Sequence, residues 1–458
     1  MKRRDFITKT TLAGAVLSLD AKSAFSSSST FRKPGKVIIL GAGFAGLAAA
    51  LALTRAGIQV TILEAGKRAG GRVFSHKPEK ADGQIIELGA EWVGASHERL
   101  IALCNEFGLT LEDNRFETDI ILSGIHEKAG KWSFGPTMEN FWSNKVSIWE
   151  DMSEKEKQKL DKIDWWRFLS EKGIDPSDLF KRDLIDSTDF GESIRHTSAY
   201  AAFAEYAESS EKNEMDFKIK GGNSALTDAL VKAIGQDKIF LEHKAVHINQ
   251  LTKNKVKVTC QNGQSYEGDA LICAIPTKSV LGIDWNPGLP TEMKDAMLSL
   301  QYSRIGKFPI VFSERFWVRD DFDMVTDTPA HYFYHGTKNQ KGPQGVLMCY
   351  ATGDKADVLN SVNEKQRNEI ILEALRPAFG NVAGYIQQNL KYYWGNDPAS
   401  AGAYAFYGKN QWFTVMPALK KQHIRTLFAG EHLADWQGFM EGAINSGEEA
   451  AETLLSGW

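Results

Sequence analysis

A short apolar segment that ends in a glycine-rich turn is the feature that most constrains how this chain folds. Residues 37–40 read VIIL and run directly into GAGFAG at positions 41–46. Helix-forming residues follow as far as Arg55, and a second apolar segment, residues 59–63, ends in Glu64. This order predicts a strand, a tight turn, a helix and a second strand, which is the unit that binds dinucleotides.

Each glycine of the turn has a separate physical task in such a unit. Gly41 allows the tight turn, Gly43 lets backbone N–H groups approach a pyrophosphate, and Gly46 lets the helix pack close to the strand. The positive end of the helix dipole then faces the phosphates. Glu64, at the end of the second strand, is placed to accept hydrogen bonds from the adenosine ribose.

Composition narrows the class of protein. The chain has 458 residues, 43% hydrophobic and 24% charged, which is ordinary for a globular protein of two or three lobes. A net charge of −4 implies no nucleic-acid partner. The four cysteines form no C-x-x-C pair, so we expect buried thiols and no metal site; they are Cys104, Cys260, Cys273 and Cys349.

The first thirty residues predict export. Residues 2–9 read KRRDFITK, a twin-arginine signal, and a modest apolar stretch and a serine-rich linker follow. We expect residues 1–30 to be a signal peptide with its linker and the mature protein to be periplasmic or secreted. The apolar stretch is too short to span a bilayer, so no stable membrane anchor is expected.

Just after Glu64 the chain resembles a known family. Residues 68–72 read RAGGR, which matches the R-x-G-G-R element of the flavin-containing amine oxidase superfamily, the group that holds monoamine oxidases and L-amino acid oxidases. Near the other end, residues 430–431 and 438–447 match the family's second flavin-contacting segment. The resemblance runs from about residue 36 to 455 and favours FAD over NAD.

The resemblance implies an α/β fold with a Rossmann-like FAD-binding domain and an interleaved substrate-binding domain. The FAD-binding domain is expected to comprise residues 36–83, 220–290 and 391–458. The substrate-binding domain is expected to comprise residues 84–219 and 291–390, with a helical insert at about 138–219. A homodimer is compatible with the sequence.

The resemblance also implies which residues contact the cofactor. In the family these positions surround the pyrophosphate, the ribityl chain, the adenine and the flavin ring. They are Gly41, Gly43, Ala45, Gly46, Glu64, Ala65, Arg68, Gly71, Arg72, Gly89, Ala90, Glu91, Trp92, Val246, Trp394, Gly430, Glu431, Phe439 and Met440.

Four residues match the family's catalytic positions. Lys307 aligns with the lysine that holds a water near flavin N5, and Tyr404 and Phe439 match the two aromatic positions that sandwich the substrate amine. Trp394 matches the family's tryptophan that precedes a small-residue turn and this tyrosine. Mammalian monoamine oxidases carry a flavin-bonded cysteine where this chain has Ala403. Non-covalent FAD is therefore expected.

The substrate is less well determined. Many amino-acid oxidases carry an arginine where this chain has Glu91 and Trp92, which favours an amine without a carboxylate or one with a second positive charge. Five side chains elsewhere are nevertheless candidate anion partners: Arg304, Arg315, His196, His331 and His335.

The resemblance thus implies oxidative deamination, in which hydride passes from the substrate Cα to flavin N5 and dioxygen becomes hydrogen peroxide. The first hypothesis is an exported FAD-dependent amine oxidase. The alternatives are an L-amino acid oxidase that forms a 2-oxo acid and an amine dehydrogenase that uses a periplasmic electron carrier. A flavin-binding protein without turnover is the hypothesis from another class.

Overall fold

The structure is a computed structural model that describes residues 33–251 and 254–457. The twin-arginine signal predicted for residues 1–30 lies outside the described residues. Among the described helices, none is both long enough and apolar enough to cross a membrane.

The strands of the described residues fall into one parallel sheet, one large mixed sheet and several small sheets. In chain order they are β1 (Lys36–Leu40), β2 (Gln59–Leu63), β3 (Ser75–His76), β4 (Ile86–Glu87), β5 (Leu111–Asp113), β6 (Glu117–Leu122), β7 (Ile125–Glu127), β8 (Phe217–Ile219), β9 (Ile239–Phe240), β10 (Ala245–Asn249), β11 (Val256–Cys260), β12 (Ser265–Gly268), β13 (Ala270–Cys273), β14 (Asp284–Asn286), β15 (Gln301–Tyr302), β16 (Ile305–Phe312), β17 (Phe322–Thr326), β18 (Tyr332–His335), β19 (Gly345–Thr352), β20 (Ile386–Asn389), β21 (Tyr392–Tyr393), β22 (Ala405–Phe406) and β23 (Thr426–Phe428).

The α-helices pack against these sheets or against one another. In chain order they are α1 (Phe44–Arg55), α2 (Glu98–Glu106), α3 (Pro136–Ser143), α4 (Lys145–Asp151), α5 (Glu154–Leu160), α6 (Trp165–Glu171), α7 (Pro176–Phe190), α8 (Ala199–Glu208), α9 (Ser224–Ile234), α10 (Thr277–Leu281), α11 (Thr291–Ser299), α12 (Gly353–Ser361), α13 (Glu364–Phe379), α14 (Val415–Leu419) and α15 (Met440–Ser456).

The parallel sheet has the strand order β23-β13-β1-β2-β9. Its central strand β1 pairs with β13 on one side and β2 on the other, with Leu40 opposite both Cys273 and Leu63. These strands read as continuous apolar runs because both faces of the sheet are covered. Helix α1, with α9 and α15 beside it, packs on one face, and the small sheet β12-β11-β10-β14 packs on the other. Helix α1 follows β1 directly, and α15 from the far end of the chain packs against α1.

Gly46 has the packing role that the motif predicts. A Cβ added at Gly46 would lie 2.0 Å from the carbonyl oxygen of Gly41, so no larger residue fits there. The missing side chain therefore lets the first turn of α1 sit directly on the turn that leaves β1.

The large mixed sheet runs in the order β20-β16-β19-β18-β17-β6-β7, and β21 pairs with the same strand, β16, as β20 does. Its two longest strands, β16 and β19, are buried along their whole length. Helices α3 to α8 form a separate layer whose core is rich in aromatic side chains, Trp165 and Phe203 among them. The domain boundaries given above stay a prediction.

One segment differs from its predicted conformation. The apolar sequence of residues 84–94 predicts a strand that ends in a turn, but only Ile86 and Glu87 form a strand. The remainder packs beside the chain at Arg72, and a Cβ at Gly89 would lie 2.0 Å from the Arg72 carbonyl oxygen. This close approach replaces strand pairing and brings residues 89–92 to the site described next. The four cysteines are buried free thiols, as predicted.

Candidate active site

A cavity of about 1010 Å³ lies where the parallel sheet, the large sheet and the helical layer meet. Nineteen of the predicted site residues line it, although they come from all parts of the chain. They are Gly41, Gly43, Ala45, Glu64, Ala65, Arg68, Gly71, Arg72, Gly89, Ala90, Glu91, Trp92, Lys307, Trp394, Tyr404, Gly430, Glu431, Phe439 and Met440.

Two predicted cofactor residues do not line the cavity. Gly46 lies behind the turn, where it serves packing. Val246 is the bulged residue of β10, since the register with β11 shifts between Ala245 and His247. The neighbouring residue Ala245 lines the cavity, and the contact expected for Val246 stays a prediction.

The glycine turn and Glu64 form one rigid unit. One carboxylate oxygen of Glu64 accepts a hydrogen bond from the Ala42 N–H at 2.8 Å, and the other accepts one from the Gly66 N–H at 2.7 Å. Helix α1 begins after Gly43, and no side chain caps its first turn. Free N–H groups at a helix N-terminus suit a phosphate, and an oriented carboxylate suits ribose hydroxyls.

The two arginines of the R-x-G-G-R element serve the protein's own backbone. Arg68 donates to the carbonyl oxygens of Val73 at 2.9 Å and Gly71 at 2.6 Å, and its guanidinium stacks over Phe74. Arg72 donates to the Ala403 carbonyl oxygen and to Glu431, each at 2.6 Å. The Glu431 charge outweighs the effect of burial and raises the pKa of Arg72.

Glu431 joins the C-terminal segment to this unit. Besides the ion pair with Arg72, it accepts a hydrogen bond from the Gly438 N–H at 2.8 Å. Helix α15 begins two residues later, at Met440, and no side chain caps it. The cavity therefore has a second helix N-terminus at its other end.

These features fit FAD. The uncapped first turn of α1 and the Glu64 carboxylate offer the groups that a pyrophosphate and a ribose require, and they line the same cavity as the uncapped start of α15. A Cβ at Gly71 would lie 3.3 Å from the Gly43 Cα, so these two glycines pack closely against each other in the cavity wall. The residues present thus suit an extended dinucleotide.

Lys307 lies inside the fully buried strand β16 and is 3% exposed. Its Nζ donates to the carbonyl oxygens of Glu87 and Gly89, both at 2.9 Å, and to Glu91 Oε2 at 3.0 Å. Three acceptors use all three N–H donors of a charged lysine. A water could therefore bond to Nζ only by donating a hydrogen bond to the lone pair of a neutral Lys307.

Glu91 lies between two buried lysines. Its Oε1 is 3.0 Å from Lys218 Nζ, and its Oε2 also accepts a hydrogen bond from the Tyr334 hydroxyl. Burial opposes ionisation of Glu91, but the charges of Lys218 and Lys307 outweigh it and lower the pKa of Glu91. Burial lowers the pKa of Lys307 from its usual value, and the charge of Glu91 opposes that shift.

Aromatic side chains enclose the part of the cavity beside Lys307, which we call the aromatic end: Trp92, Tyr350, Tyr404 and Phe439. The Lys307 Nζ lies 6.0 Å from the Trp92 ring and 5.9 Å from the Tyr350 ring. The hydroxyls of Tyr350 and Tyr404 are 3.1 Å apart. Trp394 supports this end, since its Nε1 donates to the Leu88 carbonyl oxygen at 2.8 Å.

The five candidate anion partners do not reach the cavity. Arg304 pairs with Glu192 and Asp357, both at 2.7 Å, and Arg315 donates to backbone carbonyls. The other three candidates are an exposed histidine and two buried ones, and none of them lines the cavity wall; they are His196, His331 and His335. At the aromatic end, no arginine of the described residues is available to a substrate carboxylate.

Sequence reasoning missed several residues of the aromatic end. They come from the end of α7, from the loop after α8 and from β19: Thr188, Asp189, Asn213, Glu214, Met215 and Tyr350. The residues of α7 and of the loop have a local sequence like that of any solvated helix or polar loop, and Tyr350 lies in an apolar strand, so no pattern marked them. The one structural signal is backbone geometry, because Asn213 and Glu214 both have positive φ angles, 51° and 65°.

Glu214 contacts a buried histidine. His97 Nδ1 accepts the Gly94 N–H at 2.9 Å, and His97 Nε2 lies 3.4 Å from Glu214 Oε2. The His97 ring meets the Phe439 ring edge-on, with 5.2 Å between centroids. Burial lowers the pKa of His97 to about 3, so the ring is neutral. This contact fixes the wall behind Phe439.

Comparison with known proteins agrees with this geometry. A family model described as flavin containing amine oxidoreductase matches residues 44–455. The human protein amine oxidase [flavin-containing] B is 25% identical over 92% of this chain and 86% of its own length. An L-amino-acid oxidase of Bothrops pauloensis is 26% identical over 95% and 91%, respectively.

Solved structures show the same architecture. Cyclohexylamine oxidase from Brevibacterium oxydans IH-35A superposes with a TM-score of 0.81 at 20% identity, covering 92% of this chain and 99% of that one. Putrescine oxidase bound to putrescine superposes with a TM-score of 0.80 at 21% identity and the same coverage. This likeness confirms the predicted α/β fold.

Proposed function

This chain belongs to the flavin-containing amine oxidoreductase family, and on that premise we propose that it oxidises amines that carry no carboxylate. The product is an aldehyde or ketone, with ammonia (or, from a secondary amine, an amine) and hydrogen peroxide. The family implies FAD as the cofactor and dioxygen as the electron acceptor. The finer proposal concerns the substrate and the way FAD is attached.

FAD, when bound, supplies a two-electron acceptor for the hydride on the substrate carbon next to nitrogen. The chain's own residues then have three tasks. Tyr404 and Phe439 orient the amine, and the aromatic end excludes water from it. Lys307, held by Glu91 and two carbonyls, is the basic nitrogen that a water at this end would contact.

One observation carries the choice of an amine over an amino acid. A substrate carboxylate needs a cationic fork, and the two arginines in question are engaged elsewhere, Arg304 with carboxylates and Arg315 with carbonyls. The charged side chains that the structure adds to the aromatic end are the acids Asp189 and Glu214. An anionic wall disfavours a carboxylate and favours a cation.

A peroxide-release screen on the purified yellow protein tests this proposal. Primary amines, polyamines and all L-amino acids are supplied side by side under air. We expect peroxide from amines and none above background from amino acids. Peroxide from amino acids alone would replace the proposal with the L-amino acid oxidase alternative. Flavin bleaching without peroxide would indicate the dehydrogenase.

Two further features are part of the proposal. FAD is held non-covalently, because Ala403 stands in the cavity wall where the monoamine oxidases carry a flavin-bonded cysteine. The protein is exported in folded form by the twin-arginine sequence at residues 2–9, a proposal that rests on sequence alone. Replacing Arg3 and Arg4 by lysine should retain the enzyme in the cytoplasmic fraction. A homodimer stays a prediction, to be checked by sedimentation.

A further inference from the structure

Asp189 is a half-buried carboxylate in the wall of the aromatic end. It is the penultimate residue of α7 and follows Thr188, whose carbonyl oxygen accepts hydrogen bonds from Tyr404 at 3.1 Å and Tyr350 at 3.2 Å. Asp189 therefore adjoins the residue that positions both tyrosines. A substrate seated against Tyr404 lies within reach of this carboxylate.

The hydrogen bonds of Asp189 are one-sided. Its Oδ2 accepts from the Tyr206 hydroxyl at 2.8 Å and from Asn213 Nδ2 at 2.6 Å. Its Oδ1 accepts no hydrogen bond from any residue that the structure describes, although Asp189 lines the cavity. One carboxylate oxygen is thus held in place while the other is left for a ligand.

Asp189 also has no ion-pair partner, although the charge of nearby Arg182 acts on it and partly opposes the rise of its pKa. Within residues 33–251 and 254–457 no lysine, arginine or histidine forms an ion pair with it. The cation of the same helix, Arg182, instead pairs with Asp186 one turn earlier. Burial and the negative charge of Asp186 raise the pKa of Asp189 to about 7. A carboxylate that is partly withdrawn from water and has no ion pair is costly in its charged form, so a cationic ligand would stabilise it.

The other acid of this wall is already satisfied. Glu214 accepts from the Ser96 hydroxyl and the Ser210 N–H, both at 2.7 Å, with one oxygen each. Its carboxylate therefore has no oxygen left unbonded. Asp189 differs in that it lines the cavity with one oxygen, Oδ1, that accepts no hydrogen bond from the described residues.

We propose that Asp189 binds a second cationic group of the substrate, so that diamines are the preferred substrates of this site. This inference rests on the proposed amine oxidase function. One amino group lies at the aromatic end beside Lys307, and the alkyl chain lies along the aromatic side chains. The second, charged ammonium donates to Asp189 Oδ1 and supplies the missing counter-ion. A monoamine, whose alkyl chain ends without a charge, leaves Asp189 Oδ1 without a partner.

The test compares straight-chain α,ω-diamines with n-alkylamines of the same length on the FAD-loaded enzyme. We expect kcat/KM to be about tenfold or more higher for the best diamine than for its matched monoamine. This comparison uses wild-type protein alone and needs no variant. Equal values for the two series would overturn the inference.

Asp189→Asn keeps the size of the side chain and removes its charge. We expect the variant to lose most of the diamine preference, by about tenfold, while kcat/KM for monoamines changes by less than roughly threefold. Asp323→Asn is the matched control: Asp323 is a buried acid bonded by a tyrosine, Tyr332, at 2.6 Å, and it does not line the cavity. A diamine preference that survives in Asp189→Asn would also overturn the inference.

Anaerobic flavin reduction separates this inference from the function on which it rests. If L-amino acids alone reduce the flavin, both fail. If monoamines and diamines reduce it equally well, the enzyme is an amine oxidase and only the role of Asp189 fails. If diamines reduce it preferentially and Asp189→Asn removes the preference, both hold.

Discussion

The carboxylate of Glu91 joins Lys307 to Lys218. Its Oε1 lies 3.0 Å from Lys218 Nζ, and its Oε2 lies 3.0 Å from Lys307 Nζ. Lys307 lies in β16 and Lys218 in β8, so a single buried acid connects the large sheet to a small one. Glu91 itself comes from the loop after β4, which also supplies the carbonyl oxygen of Gly89 to Lys307. The position of Lys307 thus depends on three separate parts of the chain.

Lys307→Met should slow anaerobic flavin reduction by about a hundredfold or more, because the only basic nitrogen of the described residues at the aromatic end is removed. Methionine has a similar length, so FAD content should stay near that of the wild type. Stopped-flow absorbance with the best amine measures the rate. An unchanged rate would show that the family role assigned to Lys307 is wrong here.

Glu91→Gln should lower the free energy of unfolding by about 3–5 kcal/mol, since two buried lysines lose the charge between them. Denaturant titration of the FAD-loaded protein measures this. Glu106→Gln is the control, because Glu106 pairs with Arg55 at the surface and should change stability by less than about 1 kcal/mol. Equal effects of the two variants would mean that Glu91 contributes no more than a surface pair.

Denaturation should release all of the FAD, and protein without FAD should be less stable than the FAD-loaded protein. With Ala403 in the cavity wall and no bond to the flavin, the yellow colour should remain in the supernatant after the protein is precipitated. The glycine turn, α1 and α15 all border the cofactor cavity. We therefore expect the apoprotein to be less stable by about 2.7 kcal/mol relative to protein in FAD at a hundredfold excess over Kd. Colour that stays with the pellet would indicate covalent attachment.

The pH dependence of stability should report the charge of Asp189. Its pKa is raised to about 7 in the folded protein, whereas an unfolded aspartate titrates near about 3.9. The folded state therefore holds the extra proton between these values, and its contribution to stability is lost as pH rises through about 7. Relative to Asp189→Asn, wild-type protein should lose up to about 1.4 kcal/mol per pH unit across this window.

The difference between the two proteins is the quantity to measure, because buried histidines act in the opposite direction. His97 is neutral in the fold and would gain a proton on unfolding below about pH 6.5, so it stabilises the protein more as pH rises. Subtracting the variant's unfolding free energy cancels such groups. If the difference in unfolding free energy between wild type and Asp189→Asn stayed constant from about pH 4 to about pH 8, the raised pKa of Asp189 would be contradicted.

Features that depend on neighbouring residues were predictable. The apolar run of β1, the turn at Gly41 and Gly43, and the acid at the end of β2 act over a few residues, so their pattern survives in the sequence. The R-x-G-G-R element was also recognised, although its arginines turned out to serve backbone carbonyls and Glu431. The pattern shows where these cations lie but not which acceptors they reach.

The sequence by itself determined the family, the α/β fold, the glycine turn and the position of Lys307, because strand and turn signals are local and the family motifs are contiguous. Only the tertiary structure decided that Ala245 lines the cavity beside the bulge at Val246, that Arg304 and Arg315 are engaged elsewhere, and that Asp189 borders the aromatic end. Those facts follow from a bulge, from ion pairs and from the packing of α7 against the large sheet. Each depends on contacts between residues far apart in the chain, which no local pattern records.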